Sequence, residues 1–196
     1  MKFLKKKEIW LPALILLVVG GGIYAFNLQN GLFWDDDDWI INNVFVHKIS
    51  WSNIKFWLGH NTLAGVGLKS NYYRPFLFFT FAFNFAIAGV KPLIYHLTSN
   101  AIHIFNALLV FSLVRLAFKR KLLAFLVATF FLIHPLQTEA VTYISGRGDM
   151  LVAMFMLLAL LLFYKADLQS DPLKQNRSVN LYKTLYIGHI QGFSNK

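Results

Sequence analysis

Four aspartates in a row, Asp35 to Asp38, stand between Phe33-Trp34 and Trp39. Carboxylates packed this closely repel one another, which raises some of their pKa values unless a cation neutralises them. That suits a general base or an Mg2+, Mn2+ or Ca2+ site, with a solvated acidic turn as the plain alternative. A second group follows a hundred residues later: His134-Pro135-Leu136-Gln137-Thr138-Glu139 and Gly146-Arg147-Gly148-Asp149 supply an imidazole, two carboxylates and a guanidinium within 16 residues. Ionisable groups beside apolar runs are expensive in a membrane and are functional candidates by default. The Arg-Gly-Asp tripeptide occurs in adhesion ligands, but its place against an apolar run argues against display to a receptor. His96, Asn100 and His103 recur at i, i+4 and i+7 and so share one helix face, with Asn106 close by. Such a stripe serves either hydrogen bonding between helices or, more sharply, a metal ligand pair. Arg74, in Tyr72-Tyr73-Arg74-Pro75, stands where a polar stretch meets an apolar one, placed to pair with a phosphate or to snorkel into the interface.

The elements that must position these residues are apolar helices. The chain has 196 residues, 57% of them hydrophobic and only 14% charged, against about 25% charged in soluble domains. Twenty phenylalanines cannot be hidden in one core of this size, so the solvent for much of the surface is a bilayer. The net charge of +10 is clustered beside apolar runs, where it reads as a topology signal rather than as a nucleic-acid footprint. The absence of cysteine excludes disulfides, thiolate metal sites and cysteine nucleophiles.

Lys2, Lys5, Lys6 and Lys7 precede the run Ile9 to Phe26, which is long enough for one span and carries Gly20, Gly21 and Gly22 for close helix packing. Residues 27–74 form a polar external loop with Trp-rich amphipathic pieces such as Trp51 to Trp57. Further apolar runs cover Pro75 to Val90, Leu93 to Phe118, Leu122 to Ile133 and Met150 to Tyr164. The pattern predicts an all-α, polytopic helical bundle in residues 1–164 and a soluble cytoplasmic tail in 165–196. If Pro75 to Val90 is juxtamembrane or half-inserted, four spans put Lys119, Arg120 and Lys121 inside, and the alternative of five spans puts them outside. The positive-inside rule favours four, with both acidic groups on the external face.

Taken in order, Phe33-Trp34-Asp35-Asp36, Tyr73-Arg74-Pro75, Tyr95-His96-Leu97 with Asn100 and His103, His134-Pro135-x-x-Thr138-Glu139-Ala140-Val141 and Gly146-Arg147-Gly148-Asp149 resemble the transmembrane and tetratricopeptide-repeat O-mannosyltransferases and their bacterial relatives. These are similar to the wider GT-C glycosyltransferases, and the resemblance runs from about Lys7 to Tyr164. It implies a GT-C-like bundle in a multi-pass membrane protein, with a bacterial inner membrane as the expected location and the active side external or periplasmic. It further implies a polyprenyl-phosphate donor of a sugar such as mannose, and a protein or glycan hydroxyl as acceptor. Asp35 and Asp36 match the family's acidic pair and are the candidate catalytic base, or the ligands of any Mg or Mn. Arg74 and Arg147 are the candidate partners of the donor phosphate, with His134, Glu139, Asp149, His96, Asn100 and His103 as supporting groups. The further spans and repeats of that family do not follow Tyr164, so the expectation is a shortened or split product, with a partner chain supplying the rest. The rival functions are a non-catalytic membrane partner and a cation transporter component.

Overall fold

A computed structural model describes residues 7–170, and all regular structure among them is helical. The helices are α1 (Lys7–Ile23), α2 (Trp51–Gly59), α3 (Pro75–Ala88), α4 (Pro92–Phe118), α5 (Lys121–Ile133), α6 (Gln137–Thr142) and α7 (Arg147–Ser170). The five longer helices, α1, α3, α4, α5 and α7, follow the apolar runs, with α7 beginning at Arg147 and continuing through Ser170, while α2 takes up the amphipathic piece from Trp51 and α6 lies between two runs. The expected tail is therefore helical at its start, and its remainder lies outside the described residues. The chain divides into two compact units, 1–157 and 158–196; of the second, only the last turns of α7 are described.

Local chemistry sets the helix ends. Pro75 and Pro92 occupy the first turn of α3 and α4, where a missing N–H costs no hydrogen bond. Ser50 caps α2 by accepting from the Asn53 amide at 3.2 Å. Lys119, at φ 54°, turns the chain left-handed between α4 and α5, which fold back on each other as an antiparallel pair. His103 on α4 then meets the Leu132 carbonyl near the end of α5 at 3.1 Å.

In the first unit α1 packs against both members of this pair. Leu16, Ala107, Phe111, Ala124, Ala128 and Leu132 form one buried cluster. Gly20 is required there, because a Cβ at that position would stand 2.7 Å from Ile104 Cγ1. Gly21 and Gly22, by contrast, face open space. A second cluster joins Trp39, Ile40, Val46 and Trp57 of the loop between α1 and α3 to Leu77, Phe78 and Phe81 of α3. The loop thus has its own core and is a built element rather than a solvated connector.

Among the described residues three helical segments are long and apolar enough to cross a membrane, Trp10–Gln29, Pro92–Phe118 and Ile144–Asp167, while α3 and α5 are shorter apolar helices of 14 and 13 residues. At about 1.5 Å per residue the short pair reach roughly 20 Å, against roughly 30 Å of hydrocarbon. α3 is held along its length by one end of the bundle. Arg74, just before it, pairs with Asp149, Asn84 in its last turns donates to Thr98, and Gly89 just after it accepts from the Tyr95 hydroxyl. Exposed Val18, Leu126 and Phe130 give α1 and α5 the apolar outer surface that a bilayer solvates.

Candidate active site

The acidic turn hangs on a strained residue. Trp34 has φ 51°, a left-handed conformation costly for a bulky side chain, and it directly precedes the aspartates. The turn closes when the Asp36 amide donates to the Phe33 carbonyl at 3.1 Å, and it then widens, with the Asn42 amide reaching the Asp37 carbonyl at 2.8 Å. One turn in this wide register separates the four carboxylates. Asp35 and Asp37 are exposed, and Asp38 accepts from the Asn42 side chain at 2.9 Å. Asp36 alone is buried, at 1% exposure.

Asp36 ties two distant segments together. Its Oδ2 accepts from the Phe33 amide at 3.1 Å and its Oδ1 from the Ser145 amide at 2.9 Å, across 109 residues of sequence. Burial pushes its pKa above the ordinary carboxylate value, while the two amides and the positive charge of Arg147 pull the other way. Asp35 is fixed beside it, its amide donating to the Tyr143 hydroxyl at 3.3 Å.

These contacts frame a cavity of about 660 Å3 between the acidic turn and α6. Asp36 and Glu139 both line it, together with Asn30, Phe33, Trp34 and Tyr143. A smaller hollow of about 330 Å3 adjoins it at the end of α1 and shares Asn30, Thr138 and Thr142 with it. The loop after α1 and the segment after α5 therefore converge.

The other candidate residues are placed differently. Arg147, expected to face a phosphate, is fully buried and absent from the cavity lining. Its guanidinium donates to Ser99 Oγ (3.2 Å), Thr80 Oγ1 (3.2 Å), Asn84 Oδ1 (2.8 Å) and the Tyr95 carbonyl (2.7 Å). It also lies over the Phe81 ring at 4.9 Å. One side chain so joins the start of α7 to α3 and α4. Thr80 and Asn84, four residues apart in an otherwise apolar run, were the overlooked sequence signal for this site.

Arg74 is partly exposed, paired with Asp149 at 3.3 Å and set over the Tyr72 ring at 4.8 Å. Gly148 is a glycine because a Cβ there would meet the Arg74 guanidinium at 2.6 Å. His134 lies off the cavity, its Nδ1 accepting from the Leu136 amide at 3.2 Å.

The polar stripe of α4 is the fastening between helices. Asn100 exchanges hydrogen bonds with Asn27 at 2.9 and 3.0 Å, Asn106 donates to the Met150 carbonyl at 2.9 Å, and His103 shares the Leu132 carbonyl with the Tyr24 hydroxyl. His96 is buried beside the Asn30 and Gly31 backbone, with neither ring nitrogen in a hydrogen bond. Among the described residues no three His, Asp or Glu side chains gather to hold a metal ion. Both Asp36 oxygens already face backbone amides. The chemistry below is therefore derived from the side chains present.

An all-helical bundle with membrane-length apolar helices and an acid-lined, aromatic-walled cavity at one end defines a polytopic membrane protein with a built site. Comparison with known proteins narrows that class. The chain is similar to the human protein O-mannosyl-transferase TMTC1, with 33% identity over 149 residues, or 73% of this chain and 17% of that protein. It is 30% identical over 157 residues to mouse TMTC3 and 30% over 156 residues to human TMTC2, both also named protein O-mannosyl-transferases, covering 78% of this chain each time. Those matches reach 16% and 18% of the relatives' own lengths, so the chain spans about a sixth of the proteins it resembles. No family model and no solved structure matches it.

Proposed function

We propose that this chain carries the catalytic end of a membrane glycosyltransferase, moving a sugar such as mannose from a polyprenyl-phosphate donor to a protein or glycan hydroxyl on the external face. The observation that carries the reading is the cavity itself. It gathers Asp36 and Glu139 from segments a hundred residues apart in a chain that resembles protein O-mannosyl-transferases. In the reaction the acceptor oxygen attacks the anomeric carbon of the sugar as the bond from that carbon to the phosphate oxygen breaks. The bonding electrons leave with the lipid phosphate, and the acceptor proton passes to a carboxylate.

Asp36 is the assigned base. It lines the cavity, and its burial raises the proton affinity that a base needs. Each of its oxygens holds one amide bond and keeps a lone pair for the proton. Asp35, exposed on the same turn, stands next to it. The leaving phosphate needs a cation, and Arg74 is the partly exposed guanidinium at this end of the bundle. Arg147, buried beneath, stabilises the ionised form of Asp36 from behind.

Membranes bearing the chain, supplied with radiolabelled polyprenyl-phosphate mannose and hydroxyl acceptors, test the reading. Asp36→Asn is expected to lower transfer by about 10²–10⁴-fold with the protein still inserted. Wild-type transfer by this variant removes Asp36 as base, and absence of transfer by the unaltered chain under every donor defeats the proposal for the chain alone.

A further inference from the structure

The cavity beside Asp36 has a wall and a rim of different chemistry. Its wall is aromatic: Phe33 and Trp34 stack with ring centroids 4.8 Å apart and 18° between planes. Tyr143 stands edge-on to both, at 6.4 and 6.3 Å, so the three rings make a corner. The corner is not closed over, since Trp34 is 75% exposed and Phe33 56%. Its rim is polar, with Asn30, Thr138 and Glu139 facing the same space. Its lining includes two carboxylates and no lysine, arginine or histidine.

That combination selects against a phosphate, which two carboxylates without a cation repel. It suits a neutral ring with an apolar face and hydroxyls around its edge. We infer that the Phe33, Trp34 and Tyr143 corner is the subsite for a hexopyranose ring, the sugar being transferred, while its phosphate stays outside the corner, paired with Arg74. The C–H face of the sugar packs on the exposed aromatic surface, and its hydroxyls bond Asn30, Thr138 and Glu139. As the bond to phosphate breaks, positive charge grows on the anomeric carbon and ring oxygen. The faces of aromatic rings attract that charge, so the same corner holds the sugar and favours its departure. Backbone strain at Trp34, φ 51°, is retained where it turns the indole into this wall.

The inference rests on the glycosyltransferase reading, and it is tested by binding rather than turnover. Affinity for polyprenyl-phosphate mannose is compared with that for the same polyprenyl phosphate lacking sugar, using the full chain in nanodiscs. The unaltered chain is expected to prefer the mannosylated lipid. Trp34→Ala is expected to lose about three- to tenfold of that preference, Trp34→Phe to keep most of it, and both to bind the bare lipid phosphate unchanged. Phe33→Ala supplies a second variant should Trp34→Ala fold poorly, and acceptor KM is expected to stay constant in both. A sugar preference that survives Trp34→Ala and Phe33→Ala overturns the subsite and leaves the glycosyltransferase reading standing. So does a loss of inserted protein at unchanged affinity, the mark of an interfacial anchor. No preference for the mannosylated lipid in the unaltered chain defeats both.

Discussion

Arg147 offers the sharpest test of how the site is held, because charge and geometry can be altered separately. Arg147→Lys keeps the positive charge but replaces a planar fork with a single ammonium, which cannot reach Ser99, Thr80, Asn84 and the Tyr95 carbonyl together. Hydrogen bonds between membrane helices are worth about 0.6–1.7 kcal/mol each. Losing two or three of the four therefore predicts a destabilisation of about 1–5 kcal/mol. Arg147→Gln removes the charge as well. The Asn84 Oδ1 would accept from a neutral amide instead of a guanidinium, and Asp36 would lose the positive charge that favours its ionised form. The assay pairs denaturation of the purified chain in mixed micelles with the pH profile of transfer. Lysine is expected to lower stability with the acidic limb of the profile in place, and glutamine to lower stability and move that limb to higher pH. A lysine variant as stable as the unaltered chain, or a glutamine variant with an unmoved limb, refutes the reasoning.

Three further outcomes follow from the geometry. Asp36 has a folded pKa raised by burial, so its proton is favoured in the folded chain; any stability from this group is full below the unfolded carboxylate pKa and fades as pH rises through the folded value. Transfer runs the other way: a rate-against-pH profile is expected to fall with acid at a pH above the ordinary aspartate value of about 3.9. Gly20→Ala forces Ile104 to shift and is expected to cost about 1–3 kcal/mol against a helix-propensity gain of about 1 kcal/mol, whereas Gly21→Ala, which meets nothing, is expected to be neutral or stabilising in the same denaturation assay. Single cysteines at 121 and 139 in this cysteine-free chain are expected to react with an impermeant maleimide in intact cells at 139 only; labelling at 121 alone reverses the topology.

The five longer helices were legible because each is an apolar run bounded by prolines or charges, and helical hydrogen bonding is what a bilayer demands of such a run. The stripe of His96, Asn100, His103 and Asn106 was legible as a shared face, and the bonding between helices follows from that spacing. Arg147 was misplaced for a physical reason. Sequence position put it in an external segment, where a cation meets solvent or phosphate, and the polar pair Thr80 and Asn84 in the apolar run of α3 does not by itself say which group it turns toward. Spacing alone left the four aspartates equivalent, and the resemblance singled out Asp35 and Asp36 without choosing between them. Only the left-handed Trp34 and the wide turn after it bury one and expose its neighbours. Ser145 and Tyr143 carried no chemical signal, since one contributes a backbone amide and the other a hydroxyl to an amide.

The bond from Asp36 to the Ser145 amide also sets a timetable for synthesis. A ribosome adding about 5–20 residues each second reaches position 145 some 5–20 s after position 36. Throughout that interval Asp36 lacks the Ser145 amide and holds only its local bond to the Phe33 amide. The nascent turn therefore presents a half-satisfied carboxylate, a feature by which folding surveillance can tell a chain still short of Ser145 from one in which the two segments have met.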